Sequence, residues 1–103
     1  MHAIIAEKRG DLRDLCRRFG VARLDVFGSA ARGSDFGAES DVDFLVEFRS
    51  PEDSVARFLE FRDALAALLG RPVDLVDRKT VEASRNYIRR RSILGGAEAV
   101  YAY

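Results

Sequence analysis

The chain has 103 residues, 48% of them hydrophobic and 33% charged, and its 17 basic and 17 acidic side chains cancel. A length near the mode for single domains, with enough apolar residues for one core, excludes a disordered, collagen-like or disulfide-stapled chain and predicts one domain over residues 1–103. The balanced charge argues against direct nucleic-acid binding. Apolar runs of a few residues fall short of the roughly 18–20 that a membrane span needs, so a soluble, cytoplasmic protein without membrane contact is expected.

The charge balance is a sum of unlike parts. Residues 1–40 carry seven basic and six acidic groups, residues 41–77 four and nine, and residues 78–103 six and two. An acidic middle beside a basic tail suggests a cation site in the first and anion contacts in the second. The single cysteine, Cys16, sits among Leu12, Leu15 and Phe19 and reads as core filler in a reducing compartment.

Ile4, Ile5, Leu12, Leu15, Cys16 and Phe19 recur at roughly helical spacing before Gly20, which predicts a first amphipathic helix over 3–19, with a break expected at Gly10. Val21 to Phe27 reads as a strand with Leu24 and Val26 on one face. Gly28-Ser29-Ala30-Ala31-Arg32-Gly33 follows as a tight turn into a short helix, and Ser34 to Ser40 as a polar loop. In a second strand, Asp41 to Phe48, the residues Val42, Phe44, Val46 and Phe48 alternate with Asp41, Asp43, Leu45 and Glu47.

Ser50 as N-cap, Pro51 at the first helical position and Glu52 and Asp53 in the first turn announce a helix that runs to Gly70. Val73 to Asp77 reads as a third strand, with Asp74 opposite Val73 and Leu75. Thr80 is the expected N-cap of a short helix through Val81 and Ala83. In the tail, Ile93, Ala97, Val100 and Tyr101 fall at i, i+4, i+7 and i+8, which predicts a last helix, weakened by Gly95-Gly96, whose apolar stripe is the expected partner contact.

The chemistry rests on Asp41-Val42-Asp43. On a strand the period of two sends both carboxylates to one face with α-carbons roughly 6.5–7 Å apart. Like charges so placed repel, and a magnesium ion, which takes carboxylate oxygens and keeps waters and substrate phosphates as its other ligands, would relieve them. Upstream, Gly28-Ser29 stands at a strand-to-helix turn, where glycine lets backbone amides approach a phosphate and the serine hydroxyl can donate to it. Asp74, on a strand expected beside the second, supplies a third carboxylate as ligand or as base, with Asp77 as its rival. Arg32 lies near the proposed phosphate site, while Arg89, Arg90 and Arg91 could meet an acidic partner or an RNA.

Gly28-Ser29, a spacer, Asp41-x-Asp43 and a later strand aspartate together resemble the polymerase-β-type nucleotidyltransferase superfamily, and within it the minimal nucleotidyltransferases. The resemblance extends over Leu24 to Gly33, Ser40 to Val46, Gly70 to Val76 and Arg89 to Leu94, with a spacer one residue longer than the family's usual form. It implies a small mixed, mostly antiparallel α/β sheet with helices on one side and the acidic site at the open edge of the other. It implies transfer of AMP from ATP to a hydroxyl, with Asp41, Asp43 and Asp74 as catalytic and metal-binding residues, about two magnesium ions as cofactor, and Gly28, Ser29 and Arg32 holding the nucleotide. Minimal members commonly act as antitoxins of HEPN-domain ribonuclease toxins, some by adding AMP to a tyrosine of that partner. A binder that neutralises the toxin by contact alone, and a small-molecule nucleotidyltransferase, are the alternative functions.

Overall fold

A computed structural model describes residues 3–28, 41–50, 54–83 and 85–103. Its elements are α1 (Ala3–Glu7), α2 (Arg9–Phe19), β1 (Val21–Phe27), β2 (Val42–Phe48), α3 (Ser54–Leu69), β3 (Val73–Asp77), α4 (Arg78–Glu82), α5 (Tyr87–Gly95) and β4 (Glu98–Ala102). The strands form one sheet in the order β3-β2-β1-β4. β1 pairs antiparallel with both β2 and β4, while β2 and β3 run parallel, so the sheet is mixed and mostly antiparallel as expected.

Period-two alternation explains the layers. Leu24, Val26, Val42, Phe44, Val46, Leu75 and Val100 join Ile5, Leu12, Leu15, Cys16, Phe61 and Leu65 in the principal core, beneath α1, α2 and α3. The rings of Phe19 and Phe48 close on that of Phe61 at centroid distances of 5.4 and 5.9 Å. Burial pushes the Cys16 thiol up to about 12, consistent with a core residue and not a reactive one. The opposite face carries a smaller cluster in which Leu45 meets Val81 of α4 and Ile93 of α5. That face is therefore partly covered by two short helices, and the acidic site lies beside this cover.

Three local expectations are revised. The first helix breaks at Lys8, which sits outside helical geometry with φ −99° and ψ 13°, while Gly10 lies inside α2. Asp77, not Thr80, caps α4: its carboxylate accepts from the Thr80 backbone N–H at 3.3 Å and from the Thr80 hydroxyl at 2.9 Å. The last helix ends at Gly95, and Glu98–Ala102 is a strand. Val100 and Tyr101 are buried, so the apolar stripe expected to meet a partner is a piece of the core. The helix start at Pro51, Glu52 and Asp53 lies outside the described residues.

Candidate active site

Parallel pairing of β2 with β3 sets Asp43 directly beside Asp74, and antiparallel pairing of β2 with β1 sets Phe27 on Asp43's other side. The row Phe27, Asp43, Asp74 lies on the face away from the principal core. Asp41 stands one residue before β2 and is exposed, so it flanks this row from the chain leading into the strand. The Asp43 carboxyl is held above the usual carboxylate range, first by desolvation and then by the negative charges of Asp74 and Asp41. Three acidic groups thus act on one another electrostatically.

Among the described residues no three such side chains are already gathered at metal-ligand distances. The donor set is nonetheless all carboxylate oxygen, and magnesium commonly takes one or two carboxylates together with waters and substrate phosphates, so the residues fit that ion.

Gly28 closes the row from below. It has a φ of +69°, which favours glycine, and a Cβ built on it would lie 2.5 Å from Asp43 Oδ2 and 3.5 Å from Asp43 Cγ. Glycine is required here both by the turn out of β1 and by the space that Asp43 fills. Ser29 and Arg32 lie outside the described residues, as do the rest of the turn and the polar loop.

Asp43 and Asp74 open onto a cleft of about 610 Å³ whose other walls are Phe27, Val76, Asn86, Ile88 and Ile93. Ile88 is 80% exposed at the rim. The cleft's lining combines two carboxylates and an amide with four apolar side chains, a composition able to hold a ring or an aliphatic chain while a polar group reaches the carboxylates. Of the arginine run, Arg90 donates to the Glu82 carbonyl at 3.4 Å.

One residue row back lies a group that sequence reasoning missed. Asp25 of β1 pairs with Leu45 and faces the same side as Asp43, yet it is fully buried. Arg23 Nε donates to its Oδ1 at 3.1 Å, and Arg78, at the start of α4, pairs with its Oδ2. Arg78 also reaches Glu82 Oε1 at 3.5 Å. The guanidinium therefore crosses Leu45 and ties the helix following β3 to β1. The available signal is a carboxylate and an arginine two residues apart, Arg23 and Asp25, on a strand whose other residues are apolar.

Comparison with known proteins follows the same lines. Residues 11–95 match the family described as nucleotidyltransferase domain. A relative from Thermococcus cleftensis, the protein adenylyltransferase MntA, is 39% identical over 83 residues, spanning 81% of this chain and 79% of the relative. A solved structure assigned as a minimal nucleotidyltransferase superposes with a TM-score of 0.72 at 32% identity, covering 90% of this chain and 89% of that one. A tri-AMPylated HEPN toxin of Shewanella oneidensis in complex with its MNT antitoxin shares the fold, with a TM-score of 0.65 at 18% identity over 96% of this chain and 73% of the other.

Proposed function

The chain belongs to the nucleotidyltransferase domain family, and we propose that it moves AMP from ATP to a tyrosine hydroxyl of a HEPN-domain toxin and so acts as that toxin's antitoxin. The observation that carries this reading is the cross-strand row in which Asp43 lies beside Asp74, with Gly28 held directly beneath Asp43. The relative named a protein adenylyltransferase supports the donor and the reaction. The complex of a tri-AMPylated HEPN toxin with its antitoxin supports the partner.

Asp41, Asp43 and Asp74 would hold magnesium, which when bound supplies positive charge against the triphosphate and the leaving pyrophosphate. Asp74, exposed at the cleft, orients the acceptor hydroxyl and takes its proton. The hydroxyl oxygen then bonds to the α-phosphorus as the bond to the bridging oxygen breaks and pyrophosphate departs. Gly28 keeps the turn close to Asp43, and Ser29 and Arg32 are assigned to the phosphates. Phe27, Val76 and Ile93 give the cleft its apolar lining beside the reacting groups.

The test is incubation of the purified chain with its partner toxin and ATP labelled at the α-phosphate. Label on the toxin that vanishes when divalent cations are chelated supports the reading. Neutralisation of the toxin without ATP or magnesium supports an antitoxin acting by contact.

A further inference from the structure

A second surface lies at the opposite edge of the sheet from Asp74. β4 is an edge strand, and between it and α2 runs a groove of about 720 Å³ lined by Arg9, Arg13, Arg17 and Arg49 together with residues 100–103. The three helical arginines recur at i, i+4 and i+8, one above another along the helix. The carboxylates of α2 lie elsewhere: Asp11 and Asp14 line a different groove, with Arg18 of the same helix and Ala64 and Leu68 of α3. No ion pair to Arg9, Arg13 or Arg17 is found among the described residues. Arg49 stacks on the exposed Tyr103 ring, 4.3 Å from its centroid, which holds this fourth guanidinium at the groove's end.

The edge itself is unguarded. Ala99-Val100-Tyr101-Ala102 of β4 carries no lysine or proline of the kind that commonly blunts a sheet edge, and among the described residues the only strand paired with this stretch is β1, on its inner side. We propose that this groove docks an acidic, extended segment of a partner protein, which adds to the outer edge of β4 as a fifth strand and sets its carboxylates against the arginine row.

The spacings agree. Successive arginines rise roughly 6 Å along α2, and alternate side chains of an extended segment repeat at roughly 6.5–7 Å. A strand edge offers both N–H donors and C=O acceptors, which a peptide backbone satisfies and a phosphodiester backbone, an acceptor alone, does not. A second copy of this chain would bring another arginine row against the first, and charge disfavours it.

The probe is a short fluorescein-labelled peptide alternating glutamate with valine, titrated by anisotropy against the full chain and compared with the same peptide carrying lysine for glutamate and with single-stranded oligoadenylate. Saturable binding of the glutamate peptide alone is expected, with amide shifts confined to β4 and α2. Arg13→Glu combined with Arg17→Glu should weaken it about tenfold and reverse the preference toward the lysine peptide. Should that variant fail to fold by circular dichroism, Arg13→Gln carries the same test with a smaller loss. Equal binding of both peptides, binding of oligoadenylate alone, affinity unchanged in the variants, or shifts away from β4 would each overturn the proposal.

Discussion

Asp25 and Asp43 occupy the same face of the same sheet, one cross-strand row apart, and their surroundings are opposite. Asp25 is fully buried, and two arginines answer its charge. Asp43 is partly exposed, stands between Asp74 and Asp41, and has its carboxyl pushed upward by burial and by those charges. The buried pair is a structural link whose value depends on both partners being present. Asp43 carries an electrostatic penalty that the fold alone does not relieve, and such penalties concentrate where a site awaits a cationic ligand.

The comparison is sharpest in substitution. Asp43→Asn should lower AMP transfer by about 10³-fold while leaving thermal stability equal or higher. The sign follows from the direction of the shift. A carboxylate whose folded pKa is raised favours folding only while protonated, and that contribution is lost as pH climbs through the raised value, so at neutral pH the amide removes a cost. A fall in Tm beyond a few degrees, with transfer retained, would break the distinction.

Asp25→Asn or Arg78→Met should do the reverse, costing about 3 kcal/mol by stranding a buried partner, or roughly 10–20 °C in Tm for a domain of this size. Thermal unfolding measures it directly, and an unchanged Tm would show that the pair is dispensable. Gly28→Ala probes the contact beneath Asp43: the new methyl meets Oδ2 and the positive φ is strained, so transfer should drop about 10²-fold with a loss near 1–2 kcal/mol.

Two smaller effects complete the series. Protons and magnesium should compete for Asp43, so the magnesium concentration that gives half-maximal transfer should rise as pH falls through the raised Asp43 ionisation, and saturating magnesium should flatten that dependence. Asp77→Ala should cost about 1 kcal/mol as a lost helix cap and leave transfer intact, which separates Asp77 from Asp74.

The parts legible in the sequence were those written in local alternation. β1, β2 and β3 follow from apolar residues at every second position, and Asp43 and Asp74 fall on the face opposite the core as their spacing requires. That they are neighbours is a matter of strand order and parallel register, which no local pattern encodes. β4 is hidden in the sequence because Ile93, Ala97, Val100 and Tyr101 share helical spacing by coincidence. A register shift opposite Leu24 and Asp25 leaves Val100 and Tyr101 both buried and erases the alternation that would have marked a strand. The burial of Asp25 is not legible locally: Arg23 stands two residues away, but Arg78, which closes over it from α4, lies 53 residues away in sequence.

The proposed activity of the Asp43 row is transfer of AMP to a protein partner. Its most direct test is the intact mass of the partner toxin after incubation with ATP, magnesium and either the unaltered chain or Asp43→Asn. The toxin should gain mass in whole AMP increments with the unaltered chain and none with the variant. Equal modification by both, or neutralisation of the toxin with no added mass by either, would contradict it.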